Sequence, residues 1–251
     1  MNISLAAEPL FHIGSFPITN SLLMSWIVLA FLAAIGITVK RKLAQVPKGL
    51  QNIIEYAFEL LLGMIDGVTG NREQSRKFFP VIVTIFLFVI LSNWIGLLPG
   101  MGTIGINEEL HGETVLVPFI RAGSADLNFT LAIAVVSVIS TQIFGIMAIG
   151  ALKYAKKFFV SPLKKPYFVG TFVGFLELIS EMTKLVSFSF RLFGNIFAGE
   201  ILLTVMLMLV PYLVPLPFLF LEIFVGFVQA LVFSMLTLVF MKMATVEHGE
   251  H

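Results

Sequence analysis

Residues 167–209 read YFVGTFVGFLELISEMTKLVSFSFRLFGNIFAGEILLTVMLML, an apolar run interrupted by charges that a membrane helix normally excludes. As one helix these 43 residues would extend roughly 65 Å, about twice the thickness of a bilayer's hydrocarbon core. The sequence therefore predicts a helix that either tilts strongly in the membrane or breaks.

Six polar side chains of this segment lie on one face of the predicted helix. They follow one another at intervals of 4, 3, 3, 4 and 4 residues, within a sector of roughly 120° at about 100° per residue: Glu177, Glu181, Lys184, Ser187, Arg191 and Asn195. Each charge costs at least about 2.5 kcal/mol at the bilayer centre, so this face is expected to meet protein or water. We call these six residues the polar stripe. Two purely structural explanations stay open for some of them. Glu181 and Lys184 form an ion pair that only holds helices together, or the long side chains of Glu177 and Lys184 extend to the inner membrane interface.

Neither explanation covers Arg191, which has no acid three or four residues away. A guanidinium is not deprotonated in proteins, so it cannot relay protons, but it can force a carboxylate brought alongside it to ionise. Carboxylates flank this fixed charge on both sides of the membrane, inward in Glu177 and Glu181 and outward in Glu200 and Glu222. This layout predicts two offset, water-filled half-channels that the arginine separates.

The composition assigns the chain to integral membrane proteins. Apolar residues make up 58% and charged residues 12%, about half of the roughly 25% charged residues that are usual in soluble domains. The mean hydropathy is +0.98. A net charge of +1 gives no argument for a nucleic-acid partner.

The whole chain is interpreted as one membrane domain of five membrane helices plus one interfacial helix. We predict an outside leader at 1–18, a span at 20–39, an interfacial helix at 47–68, a span at 78–98, an outside loop at 99–125, a span at 127–150, a basic inside loop at 151–166, the long tilted helix at 167–209 and a last helix at 218–244. On the last helix Gln229 lies seven residues after Glu222 and shares its face. The last two helices are expected to form a long hairpin.

The amphipathic segment 47–68 is interpreted as a packing helix, with docking of a partner subunit as the alternative. Orientation follows from basic residues, because they accumulate on the cytoplasmic side. Arg121 is expected outside, whereas 13 of the 16 Lys and Arg fall inside: Lys40, Arg41, Lys42, Lys48, Arg72, Arg76, Lys77, Lys153, Lys156, Lys157, Lys164, Lys165 and Lys242. The N-terminus is thus predicted outside and the C-terminus inside.

The sequence predicts no cofactor and no metal. Cysteine is absent, and the four histidines, at 12, 111, 248 and 251, lie in termini or a loop, so no membrane helix offers paired metal ligands. Gly100, Gly102 and Gly105 match a bare G-x-G-x-x-G pattern. It is rejected as a nucleotide site because it follows a membrane span and no βαβ unit surrounds it.

Several motifs together resemble one family. The longest is Ser187-Phe-Ser-Phe-Arg191-Leu-Phe-Gly194-Asn195-Ile-Phe-Ala198-Gly199-Glu200. The others are Ser92-Asn93-Trp94-Ile-Gly96-Leu-Leu-Pro99, Ala125-Asp126-Leu-Asn128-Phe-Thr130 and Gln229-Ala230-Leu231 with Phe233. From about residue 20 to the end, the chain is similar to subunit a of F-type ATP synthases, the stator channel of the membrane sector.

The resemblance implies proton flow coupled to rotation of a ring of small hairpin c-type subunits, and through it to ATP synthesis on a separate soluble sector. Arg191 would face the ring carboxylate, with Asn195 and Gln229 as its polar neighbours. Glu200 and Glu222 match the outer half-channel and Glu177 the inner one, while Glu181 falls at a more variable position. Peripheral-stalk b-type subunits and the lipid bilayer would be further partners, and a bacterial plasma membrane the expected location. The chain alone would be no enzyme.

One alternative comes from another class, a secondary transporter with a charged site at the membrane midplane. Such transporters contain inverted repeats or paired broken helices. The sequence shows no second half that matches the hairpin 167–244. An intramembrane enzyme is disfavoured because the predicted spans hold no His or Cys.

Overall fold

Helices account for most of the computed structural model, which describes residues 7–41, 43–44, 47–98, 104–110, 113–158, 169–210 and 213–246. Within these ranges the helices are α1 (Asn20–Arg41), α2 (Leu50–Thr69), α3 (Arg72–Gly96), α4 (Leu127–Ile149), α5 (Ala151–Phe158), α6 (Val169–Leu209) and α7 (Pro215–Thr245). Five of them, α1, α3, α4, α6 and α7, are long and apolar enough to cross a membrane. The predicted class of all-α integral membrane protein is confirmed.

The long helix α6 is continuous over its 41 residues. A straight helix of that length extends about 61 Å, so it fits a hydrocarbon core of roughly 30 Å only at a strong tilt.

Two short antiparallel hairpins lie where the sequence analysis expects a leader and a loop. The strands β1 (Pro9–Ile13) and β2 (Phe16–Thr19) form the first hairpin, and β3 (Gly105–Leu110) and β4 (Glu113–Pro118) form the second. Pairing satisfies backbone groups that a plain loop would leave to water. The expected basic loop begins as the short helix α5. Residues 1–6, 99–103 and 159–168, and with them Lys164, Lys165 and the first two residues of the predicted helix 167–209, lie outside the described residues, as do Lys42, His111, His248 and His251.

Local sequence explains where the helices begin and end. Asp126 caps α4 by accepting from the N–H of Asn128 at 3.0 Å, and Asn71 caps α3 by accepting from the N–H of Glu73 at 2.9 Å. Gly70 ends α2 at φ 69°, a left-handed conformation that favours glycine. Pro215 starts α7, where its missing N–H costs nothing.

The bundle has two distinct ends. At the hairpin end lie the two β-hairpins and the first turns of α1, α4 and α7, and at the basic end lie α2, α5 and the first turns of α3 and α6. Hydrogen bonds between helices support this arrangement. At the hairpin end, Ser21 of α1 donates to Asp126 at the start of α4, and at the basic end Gln74 of α3 donates to Thr245 of α7 at 2.9 Å. Helix α7 therefore runs antiparallel to α3, and its contacts through Glu222 with Gly199 and through Gln229 with Arg191 show that it also runs antiparallel to α6.

The core lies where α3, α4, α6 and α7 meet. Its buried side chains include Val89, Ile133, Leu192, Ala230 and Phe233. Hydroxyl pairs cross the same interfaces, Thr130 with Ser189 at 3.0 Å and Ser137 with Thr237 at 2.7 Å. Such small polar pairs are typical of membrane helix packing, where they satisfy each other away from water.

Candidate functional site

Arg191 projects from the middle of α6 onto an exposed face of the bundle. The Nη2 atom lies 3.5 Å from the hydroxyl of Ser187, one turn earlier. Gln229 of α7 donates its amide to the backbone carbonyl of Arg191 at 2.8 Å, so it holds the main chain rather than the guanidinium. Among the described residues no carboxylate pairs with Arg191.

The face of α6 around Arg191 is open. Ser187, Gly194, Asn195 and Ala198 are exposed there, and a Cβ at Gly194 would meet no atom within 4 Å. The opposite face is buried through Phe188, Leu192 and Ile196. The helix therefore packs on one side and presents small and polar residues on the other.

The predicted stripe divides into two parts in the structure. Ser187, Arg191 and Asn195 stay on the open face, whereas Glu181 and Lys184 are partly buried beside α7. Lys184 Nζ lies 2.7 Å from Glu181 Oε1 and 4.7 Å from the centre of the Phe240 ring. The second oxygen of Glu181 is buried without a hydrogen-bond partner. Glu177, one turn nearer the basic end, is also partly buried.

Tyr154 of α5 lies close enough to Glu177 and Glu181 for their charges to act on it, although no sequence pattern indicated a role for it. Its hydroxyl donates to Gln142 Oε1 at 2.5 Å, and its ring packs on Gly145, where a Cβ would overlap the ring. Burial raises the pKa of Tyr154 to about 12, and the negative charges of Glu181 and Glu177 contribute to the rise.

Toward the hairpin end, Glu200 forms an ion pair with Arg121. Its two oxygens accept from Arg121, with Nε–Oε1 and Nη2–Oε2 distances of 3.0 Å. Arg121 lies just before the 3₁₀ turn Gly123–Ala125, and the count of basic residues indicates for it only a position outside the membrane. The two positions are 79 residues apart, so no local spacing could reveal the contact.

Glu222 of α7 lies at the same level as Glu200 but has different surroundings. It is 4% exposed, and its carboxylate touches the backbone of Gly199 so closely that a Cβ there would overlap it. The carboxylate of Glu222 thus contacts α6 at Gly199, one residue before Glu200. The carboxylate of Glu200 pairs instead with Arg121.

Four further polar atoms at this end are buried without a hydrogen-bond partner: Asn20 Nδ2, Ser92 Oγ, Asn93 Oδ1 and Ser124 Oγ. The amide of Asn93 donates to the carbonyl of Gly226 at 3.3 Å, one turn beyond Glu222. Buried polar atoms of this kind are typically satisfied by ordered water. Ser92 and Asn93 belong to one of the motifs that carry the family resemblance, whereas no sequence pattern indicated a role for Asn20 or Ser124.

Comparison with known proteins identifies the family. The model of the family described as ATP synthase A chain matches residues 22–242, which include every predicted site residue. The chain belongs to the ATP synthase subunit a family. Among relatives named ATP synthase subunit a, that of Moorella thermoacetica is 32% identical over 96% of both chains. That of Gloeobacter violaceus is 36% identical over 92% of this chain and 86% of its own, and that of Campylobacter jejuni subsp. doylei is 34% identical over 86% of each.

As an ATP synthase subunit a, the protein is the proton-conducting stator subunit of the complex and is not an enzyme on its own. It is an integral membrane protein that acts together with other subunits. The predictions of family, ATP synthesis and proton transport are confirmed, and the transporter alternative is not favoured.

Proposed function

We propose that protons cross this subunit a through two offset half-channels that Arg191 separates. The observation that carries the proposal is the exposed guanidinium of Arg191, which lacks an ion-pair partner among the described residues and has partly or fully buried carboxylates toward both ends of the bundle.

The half-channel at the hairpin end would include Glu200 and Glu222. Support comes from the polar atoms of Ser92, Asn93 and Ser124 that are buried there without a hydrogen-bond partner, and from the contact of Asn93 with Gly226 of α7. A hydrated path of this kind would bring a proton to the carboxylate of Glu222.

The half-channel at the basic end would include Glu177 and Glu181, with Lys184 as the counter-charge of Glu181. Tyr154 and Gln142 would border it. A proton that leaves the rotor would pass these acids on its way to water at that end.

The open face of α6 would contact a ring of c-type subunits, each of which bears one carboxylate. Gly194 and Ala198 leave room for a closely packed neighbour, and Ser187 and Asn195 flank the guanidinium. A ring carboxylate that reaches Arg191 would be favoured in its charged form and would release its proton. Each proton that crosses the membrane releases about 2.3 kcal/mol per 100 mV of membrane potential. A proton that passed Arg191 without turning the ring would lose this free energy.

The basic end would face the cytoplasm of a bacterium, with the C-terminus inside and the N-terminus outside the plasma membrane. Support comes from the basic residues at that end, because Lys and Arg are in excess on the cytoplasmic side of membrane proteins: Lys40, Arg41, Lys48, Arg72, Arg76 and Lys77. Peripheral-stalk b-type subunits would be further partners, and the soluble catalytic sector would join through the assembled complex.

Acidification of inverted vesicles by the assembled complex, driven by ATP, tests the proposal. Arg191→Ala should abolish acidification while the complex still assembles. Arg41→Ala removes an exposed arginine at the end of α1 and should keep the wild-type rate. An assembled Arg191→Ala complex that pumps at the wild-type rate would refute the mechanism.

A further inference from the structure

An open cavity lies at the basic end of the bundle, between the start of α3 and the ends of α4 and α7. Its volume is about 640 Å³, within the range of roughly 300–1,000 Å³ that is typical of sites for small ligands. Phe78 of α3 and Phe144 of α4 form an apolar wall, with ring centres 5.0 Å apart in an edge-to-face contact. The cavity would hold only about one and a half turns of a helix that is roughly 10 Å wide, so a small ligand fits it better than a helix of a partner subunit.

The cavity lies at the level where the bundle leaves the membrane. Lys77 is the last charged residue of α3, and the apolar remainder of that helix begins at Phe78. On α4, which carries no charged residue, Met147 and Ala148 line the cavity just before the helix ends. Met147 is 74% exposed, so the cavity opens to the outside of the bundle. The terminal turns of membrane helices lie among phospholipid headgroups, so the ligand that reaches this opening is a lipid of the leaflet at the basic end.

Two charged side chains line the cavity among the described residues, Glu73 and Lys77 of α3. They are one helical turn apart and form an ion pair with an Nζ–Oε1 distance of 2.8 Å, although their side chains are 78% and 66% exposed. An ion pair that is so exposed contributes little to stability, so the charges of a ligand can replace it at small cost. The pair presents one anion and one cation, which fits a zwitterion better than an anion.

The order of these two charges matches the headgroup of an aminophospholipid. Because α3 enters the membrane from the basic end, Glu73 lies about 6 Å farther from the hydrocarbon than Lys77. In phosphatidylethanolamine the phosphate lies next to the glycerol and acyl chains, and the ammonium group lies farther out, toward water. Lys77 would donate to a phosphate oxygen and Glu73 would accept from the ammonium group, and both hydrogen bonds would be charge-assisted. Phosphatidylglycerol offers no cation to Glu73, and a choline headgroup offers no N–H donor.

We propose that this cavity binds one phosphatidylethanolamine molecule from the leaflet at the basic end. The phosphate would contact Lys77, the ammonium group would contact Glu73, and an acyl chain would lie over Met147 and Phe144. The proposal is independent of the half-channel function, since none of these residues belongs to the two half-channels.

Photolabelling of the assembled complex in lipid nanodiscs tests the proposal. The probe is phosphatidylethanolamine with a diazirine in one acyl chain, present as a trace in phosphatidylcholine. Mass spectrometry measures the labelling of the end of α4 around Met147 relative to that of Ile37 of α1, which is 53% exposed and reports on bulk lipid. Unlabelled phosphatidylethanolamine should lower this ratio about fivefold, whereas the same amount of phosphatidylglycerol should leave it within about twofold.

Exchange of the two charges tests the order of the contacts. Glu73→Lys with Lys77→Glu keeps the net charge and the spacing of the pair but brings an anion to the phosphate. It should lower the displaceable labelling about fivefold. Arg76→Gln removes an exposed charge from another face of the same turn of α3 and should leave the labelling unchanged. Ala148→Trp fills the cavity from an exposed position, keeps both charges and should lower the labelling as the exchange does.

Equal displacement by phosphatidylglycerol would overturn the proposal, because the site would then recognise only the phosphate. Wild-type labelling of the exchanged pair or of Ala148→Trp would also overturn it, since the lipid would then lie elsewhere. Absence of displaceable labelling in the wild-type complex would mean that another subunit covers the cavity and would refute the lipid site. If the exchanged pair does not assemble, Lys77→Gln is measured instead, and the proposal stands only if this variant loses the displaceable labelling.

Discussion

Glu222 of α7 packs its carboxylate directly against the backbone of Gly199 of α6. The contact joins the two helices beside the Arg121–Glu200 pair, and only a residue without a side chain fits there. Because Glu222 is also deeply buried, its position depends on the close approach of α6 and α7.

Gly199→Ala should therefore reduce ATP-driven proton pumping at least tenfold, because the added methyl group pushes the Glu222 carboxylate or α7 away. The measurement is the initial rate of vesicle acidification per assembled complex. Gly36→Ala is the matched control, since a Cβ at Gly36 of α1 would meet no atom within 4 Å.

A shorter acid should partly relieve the clash. Glu222→Asp combined with Gly199→Ala is expected to pump faster than Gly199→Ala alone. Equal or slower pumping by the combined variant would show that the methyl group acts elsewhere than at the carboxylate.

The raised pKa of Tyr154 should appear in the pH dependence of the stability of the complex. Its pKa is raised from 10.0 to about 12 by burial in the folded protein. The stability it contributes is thus fully present below pH 10 and is lost as the pH rises toward 12. Thermal unfolding of the complex between pH 9 and pH 12 should show a steeper decline for the wild type than for Tyr154→Phe. Parallel declines would contradict the assignment.

The buried hydroxyl pair of Ser137 and Thr237 joins α4 to α7 at 2.7 Å. Ser137→Ala and Thr237→Val should each destabilise the complex, and a double-mutant cycle should give a coupling of about 0.6 kcal/mol, as is typical inside membranes. The cycle is measured by thermal or denaturant unfolding in detergent. A coupling energy near zero would mean that each hydroxyl forms an equally favourable hydrogen bond with another group when its partner is removed.

The sequence alone predicted those features of the fold that depend on the residues of a single helix. The apolar runs located the spans, and the 3.6-residue period found the polar positions of α6. That period could not tell which of them α7 would cover: Lys184 is partly buried beside α7, whereas Arg191 is exposed. Contacts between distant segments, such as Arg121 with Glu200 and Tyr154 with Gln142, depend on how helices pack and leave no mark in local spacing.

Gln229 provides the last prediction, because it holds the backbone carbonyl of Arg191 from α7. Gln229→Leu removes that hydrogen bond, worth about 1 kcal/mol, and lets α6 shift relative to α7 at the arginine. We expect pumping to fall severalfold without being abolished, since the guanidinium itself remains. Gln74→Leu is the control, because it removes a comparable bond between α3 and Thr245 of α7 at the basic end. It should cost similar stability and leave the pumping rate per assembled complex unchanged. Equal losses of pumping in both variants would show that Gln229 acts only on the stability of the bundle.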